Sequence, residues 1–270
     1  MRPRYPTPPD GYTPISTSAV MTFLRCGYRY WMEKEKGNPV TARMARGTAL
    51  SRAAETDNRA KMAGEEKHPD ELIEVARSSF SSELPAMQDK GTTILKTKAS
   101  LPQAVLAWVR DLSPGIGGVT LAEKPLVGLF HEERIVLCGT PDFFANNCVR
   151  DVKTGRRWRP DDVHTSVQLT TYSWLHLLHV GTMPTAVAVD SIHRDRHGRW
   201  IGETLWSSRT PEDLQSLWET VKSVVRGIQK GVALPADPTS WHCSAAWCPL
   251  FWECPHVGDA RKRAAKDREK

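Results

Sequence analysis

Apolar residues recur at helical spacing over Ser18–Trp31, where Val20, Phe23, Leu24 and Tyr28 form a stripe and Ser16, Thr17 or Ser18 supplies a cap. The same reasoning predicts helices over Ala42–Ala63, Pro69–Phe80 and Leu101–Asp111. The period then changes. Apolar and β-branched runs predict strands at Leu121–Phe130, Ile135–Phe144 and Cys148–Thr154, the last two joined as a hairpin by the turn signal Asn146-Asn147. Val167, Leu169, Trp174, Leu175 and Leu178 return to helical spacing. Strands at Thr185–Arg194 and Trp200–Trp206, joined around His197-Gly198, and a helix from Thr210-Pro211-Glu212 to Lys230 follow. Pro3, Pro6, Pro8 and Pro9 mark residues 1–14 as a loose leader. There is no internal repeat and no low-complexity segment.

The predicted hairpin carries candidate chemistry. Pro141-Asp142 lies in GTPDFF, and Asp151-Val152-Lys153 lies in VRDVKTG. Strand alternation puts Asp151 and Lys153 on one face and Val152 on the other, and the expected register brings Asp142 beside them. Hard Mg²⁺ or Mn²⁺ takes oxygen ligands, so Asp142, Asp151 and the Val152 carbonyl are candidate metal ligands. Lys153 would orient water or stabilise charge developing on a phosphate. An isolated D-x-K also fits an ordinary strand ion pair. Gln168 and Tyr172, four apart, share a helix face near the end of the second strand, where an amide and a phenol can meet a phosphate or hold the lysine.

Six cysteines in 270 residues are too few for a disulfide scaffold, and no signal peptide or transmembrane run is visible, which predicts a reducing cytoplasm. Cys243, Cys248 and Cys254 crowd one short segment and Cys26 stands near the other end, a set suited to four-thiolate ligation that would staple the termini. The spacing lacks the C-x-x-C pairs usual for structural zinc, which favours a 4Fe-4S cluster, with zinc as the alternative and His242 or His256 as replacement ligands. Cys138 and Cys148 read as small apolar residues.

The series STSAVMTFLRCGYRYW, RGTALSRAAE, AEKPL, GTPDFF, VRDVKTG, QLTTY and the three-cysteine cluster resembles the RecB-type PD-(D/E)XK nucleases. The resemblance is to their iron-sulfur branch, which contains the AddB nuclease domain, CRISPR-associated RecB-like exonucleases and phage relatives. It spans Ser16 to Pro255. It implies a restriction-endonuclease-like α/β core, a mixed central sheet flanked by helices, with a helical N-terminal region and a C-terminal Cys cluster. It also implies metal binding by Asp142 and Asp151, catalysis by Lys153 with support from Gln168 and Tyr172, and cluster ligation by Cys26, Cys243, Cys248 and Cys254. Glu123 matches an acidic position of the first core strand. The family's usual metal-ligating histidine is replaced by Ser51, with Glu55, His68 or His131 as substitutes.

The implied organisation is a leader over 1–14, one nuclease domain over 15–258 whose ends meet at the cluster, and a basic tail over 259–270. The implied activity is a metal-dependent DNA exonuclease acting on single strands or DNA ends in recombination, repair or phage DNA processing. Its setting would be a bacterial cytoplasm or that of a phage host, with a recombination or helicase partner and no membrane. The alternative is a noncatalytic nucleic-acid-binding or assembly protein. A stand-alone role as a helicase-nuclease is not expected, since no G-x-x-x-x-G-K-[ST] phosphate loop occurs.

A net charge of +6 and pI near 9.0 favour a polyanionic partner, and 40% hydrophobic content suffices for a real core. Basic residues from Arg150 to Arg159 are expected to grip phosphates beside the site. Those in HRDRHGRW and the tail form further basic clusters, the tail reading as a solvated helix end. Ten tryptophans are many. Trp241, Trp247 and Trp252 are expected to wall the cysteine site from water, with base stacking as the second reading.

Overall fold

The computed structural model describes residues 5–37, 40–87 and 89–268. In chain order the elements are β1 (Thr13–Ser16), α1 (Thr17–Arg25), α2 (Gly27–Lys36), α3 (Ala42–Met62), α4 (Pro69–Ser82), α5 (Gly91–Ala99) and α6 (Leu101–Ala107), which runs into a π-helical turn over Trp108–Leu112. Then come β2 (Val119–Ala122), β3 (Leu126–Phe130), β4 (Ile135–Gly139), β5 (Phe143–Ala145), β6 (Cys148–Gly155), α7 (Pro160–His164), α8 (Val167–Val180), β7 (Ala186–Arg194), β8 (Trp200–Ser207), α9 (Pro211–Gln229) and α10 (Asp259–Arg268). The chain divides into two compact units, one of residues 1–17 and 40–218, the other of residues 18–39 and 219–270. Part of the expected leader, residues 1–4, and the last two residues of the expected tail lie outside the described residues.

The first unit is mixed α/β, as the resemblance implied. Its five-stranded sheet has the order β2-β5-β6-β7-β8, in which β6 and β7 are parallel and the other neighbours antiparallel. Its three-stranded sheet has the order β1-β4-β3, with β1 parallel to β4. Helices cover both faces of the larger sheet. Val152 and Ile192 pack with α3, α4 and α6 through Ala49, Leu72 and Leu101, while Val149, Val187 and Val189 pack with Leu169 and Leu175 of α8. The two faces follow from the period-2 alternation of β6.

Two of the predicted strands are each two strands. Leu121–Phe130 breaks at Glu123, which has φ 47, and Ile135–Phe144 breaks at Pro141-Asp142. At both breaks the chain changes sheets. The Glu123 N–H donates to the Asp142 carbonyl at 2.8 Å, so the two interruptions lie side by side. The hairpin follows its prediction: Asn146 and Asn147 both take left-handed φ, 50 and 57, between the paired Ala145 and Cys148, a two-residue turn whose twist suits antiparallel strands.

In the second unit the helix predicted over Ser18–Trp31 is broken. Cys26 is extended and caps α2, its thiol accepting from the Arg29 N–H at 3.3 Å. The break allows close backbone approach: a Cβ on Gly27 would stand 3.1 Å from the Leu234 amide nitrogen and carbonyl oxygen. The Tyr28 N–H donates to that carbonyl and the Trp31 indole donates to the Val232 carbonyl at 2.8 Å. α5 was not predicted, because its only large apolar residues are Ile94 and Leu95 among threonines and lysines. Among the described residues no helix is long and apolar enough to cross a membrane.

Candidate functional site

The first unit brings Asp142, Asp151, Lys153, Gln168 and Tyr172 together. The β5–β6 register pairs Phe143 with Arg150, so Asp142, one step before β5, lies level with Asp151. Its carboxylate accepts the Val152 N–H at 2.5 Å. Asp151 is 1% exposed and forms an ion pair with Lys153 Nζ at 2.6 Å. The Gln168 amide donates to Asp151 at 3.1 Å and to the Tyr172 hydroxyl at 3.0 Å, so α8 reaches the β6 carboxylate with both predicted side chains. Val152 points its side chain into the core, as alternation requires.

Glu123 joins this group. It hydrogen-bonds Asp142 and feels the charges of Glu55 and Asp151. Glu55 is near, but Arg52 binds one of its oxygens at 2.5 Å and Arg59 the other at 2.9 Å, while Arg59 also donates to the Ala122 carbonyl. The two arginines are site residues that sequence reading missed. Their spacing from Glu55 on one helix is visible in the chain, but nothing there tells that this pair faces Glu123. Ser51 lies on α3, one turn before Glu55. His68 and His131 are elsewhere: His68 caps α4 and His131 bonds the Tyr12 hydroxyl.

The carboxylates are hard to ionise together. Burial, then Asp151 and Glu123, push Asp142 well above the usual carboxylate range. Burial also raises Asp151, against the pull of Lys153. Burial and then Glu55 raise Glu123 to about 7, with Arg52 opposing. Because the raised group binds its proton more tightly folded than unfolded, its contribution to stability is full below its ordinary value and is lost as pH rises through the folded one. Metal-free protein is therefore expected to lose on the order of 3 kcal/mol between pH 4.5 and 7 from Glu123, and Glu123→Gln to flatten that slope in urea denaturation. An unchanged slope would refute this reading of the group. Burial also lifts the Tyr172 phenol, which stays protonated.

The predicted basic cluster resolves differently. Arg150 faces away from Asp151 and is 7% exposed, paired to Asp190 at 2.9 and 2.5 Å, so it cannot grip phosphate. Arg156 and Arg159 reach Asp162, and Arg157 reaches Glu203. These three are surface pairs, open to exchange for other anions.

In the second unit Cys26 accepts N–H bonds from Arg29 and Ala236, both at 3.3 Å, and Arg261 reaches Cys243 at 3.6 Å. Burial raises the Cys248 thiol, and Cys26 and Cys243 raise it further. All four cysteines are partly buried and unpaired as disulfides. Among the described residues no three carboxylate, imidazole or thiol groups form a ready ligand set for a metal, here or around Asp142. His242 instead bonds the Arg25 carbonyl and His256 packs on Tyr28. Trp241 and Trp247 are 58% and 42% exposed, so they face water themselves. Cys138 is buried, while Cys148 bonds Thr185 at 3.3 Å.

Residues 14–255 match the description of the PD-(D/E)XK nuclease superfamily. The fold is similar to the crystal structure of a protein from Eubacterium rectale provisionally named an exonuclease, with a TM-score of 0.52, 11% identity, and 88% of this chain and 86% of that chain covered. A structure of LHK-Exo in complex with dAMP aligns at a TM-score of 0.31 and 8% identity over 71% of this chain and 92% of that one. No curated protein matches the chain.

Proposed function

The chain belongs to the PD-(D/E)XK nuclease superfamily, and from that premise we propose that it is a metal-dependent DNA exonuclease whose site is built on Asp142, Asp151 and Lys153. The observation that carries the site is the crowding of Asp142, Asp151 and Glu123, each displaced upward by burial and by neighbouring acids. Such a group calls for positive charge. Oxygen donors suit a hard cation, and Asp142, Asp151 and Glu123 would hold Mg²⁺ or Mn²⁺, which supplies charge at the attacked phosphate and lowers the pKa of a water.

The chain's own groups then divide the work. Lys153, anchored by Asp151 and 27% exposed, presents its ammonium to the charge that develops on the phosphate oxygens. Gln168 ties Asp151 to Tyr172, so the carboxylate keeps its orientation while Lys153 or a ligand moves. The hydroxyl of Tyr172 stays neutral and adds no charge against the substrate. Arg52 and Arg59 hold Glu55 in place, and Arg52 offsets part of the charge that Glu55 sets against Glu123.

We further propose that Cys26, Cys243, Cys248 and Cys254 hold a 4Fe-4S cluster, with zinc as the competing occupant. What supports the reading is four partly buried thiols in one unit, with N–H groups of Arg29 and Ala236 facing the Cys26 sulfur and Arg261 facing Cys243, donors that suit an anionic cluster. Brown protein containing iron is the expected result. Colourless protein with stoichiometric zinc would replace the iron assignment.

The test of activity is incubation with Mn²⁺ or Mg²⁺ and end-labelled linear or closed circular DNA. Linear DNA is expected to be degraded and the circle spared, with a chelator stopping the reaction. Equal attack on both would remove the exonuclease reading and keep the nuclease. Binding without cleavage would favour the noncatalytic alternative.

A further inference from the structure

One cationic group plays no part in the site above. Arg46 of α3 lies half-buried, and among the described residues its guanidinium makes no hydrogen bond or ion pair. Its Nε is buried without an acceptor, and so is the indole N–H of Trp200. The two touch: Arg46 lies over the Trp200 ring at 5.2 Å, and Arg194 lies over the same ring at 5.1 Å. Arg43 and Arg194 are close enough to repel Arg46, and burial disfavours its charge further. Among the described residues no carboxylate balances Arg46, and a half-buried cation beside other cations is unfavourable unless an anion arrives.

The surroundings leave room at the backbone. Gly155 has φ 115, and a Cβ there would stand 3.3 Å from an Arg46 nitrogen. Gly47 stands where a Cβ would contact the Thr154 hydroxyl at 3.7 Å. Gly155 also ends β6 two residues after Lys153, about 7 Å along a strand. That is the scale on which successive groups of an extended polyanion repeat.

We propose that Arg46, with Arg43 and Arg194 and backed by the Trp200 ring, binds a phosphate group of the nucleic-acid strand that is not the one being cut. The inference rests on the nuclease reading and deepens it: the site sets which phosphate reaches Lys153. An arginine fork suits phosphate oxygens, and the terminal guanidinium nitrogens of Arg46, held over the Trp200 ring beside Arg194, are the donors it would offer.

The structure gives this site a signature that a merely structural arginine lacks. Arg46→Met removes an unbalanced charge and keeps most of the side chain's bulk over Trp200. It is expected to raise the thermal midpoint, to weaken DNA binding measured in chelator, and to reduce the salt slope of binding by about 1. In cleavage it raises KM more than it lowers kcat. Inorganic phosphate is expected to stabilise the parent and not the variant. Oligonucleotides with a 5′-phosphate or a 5′-hydroxyl separate the sources: a defect confined to the former assigns a terminal phosphate, and an equal defect an internal one. If the parent binds DNA and the variant binds it with the same affinity and slope, the site is overturned while the nuclease reading stands. If the variant loses stability with binding intact, Arg46 is structural. Absence of DNA binding by the parent would remove the nuclease reading itself.

Discussion

Asp142→Asn is expected to lower DNA cleavage by about 10³-fold while raising stability. The two effects have one origin. The carboxylate is displaced upward by burial, Asp151 and Glu123, so the folded chain disfavours its ionised form. Asparagine keeps the volume and an oxygen for the Val152 N–H, but carries no charge to repel Asp151 or to attract a cation. Lys153→Ala is expected to match the loss of activity and to reverse the sign of the stability change, because Asp151, 1% exposed, is left without its ion-pair partner. Cleavage of end-labelled DNA at saturating Mn²⁺, beside urea denaturation of both variants, gives the comparison. Cleavage within a few-fold of the parent in either variant would remove that residue from the mechanism. A matching loss of stability in both would show that the Asp142 charge is tolerated better than its surroundings suggest.

The second large effect lies on the opposite face of β6. Arg150→Met is expected to destabilise the protein by about 3–5 kcal/mol, because Asp190 is fully buried and loses the guanidinium that pairs with it. Thr204 still donates to Asp190 at 2.7 Å, but one hydroxyl does not balance a charge. The methionine stem can occupy the space between the Phe143 and Trp206 rings where the guanidinium now lies, so lost packing is a minor part. Replacing both partners with apolar residues is expected to recover most of the loss, since the desolvated carboxylate then disappears as well. Urea denaturation of the single and double variants measures both. A single variant within about 1 kcal/mol of the parent would show that the pair contributes only as a surface bridge does.

Arg150 also shows how the sequence could have been read further. Alternation placed Asp151 and Lys153 on one face of β6, and the same rule puts Arg150 with Val152 on the other. Counting Arg150 with Arg156, Arg157 and Arg159 treated charge as a linear property, whereas a strand divides it between faces. The hairpin was legible because Asn146-Asn147 and the flanking β-formers agree on one local structure. The breaks at Glu123 and Asp142 were missed although Pro125 and Gly139-Thr140-Pro141 interrupt the apolar runs there; what the chain does not show is that each break passes the strand to another sheet. Gln168 and Tyr172 were legible as neighbours on a helix, and their reach to Asp151 depended on where that helix packs. Arg46 opens the RGTALSRAAE motif, but the chain does not show that it lacks a balancing charge, which is defined by what surrounds it in space.

The division of the chain has a mechanical consequence. β1 belongs to the unit that holds Asp142 and Asp151, yet the peptide linking it to the rest of that unit is the excursion from Ser18 to Pro39. Its pairing with β4 is therefore an intramolecular association whose effective concentration is set by that excursion. An intact, compact excursion keeps the strand near its partner, and a nick anywhere along it would leave β1 to find β4 by diffusion. Cys26 lies inside the excursion, so a ligand bound by its thiol would sit on the same segment that joins β1 to the rest of its unit.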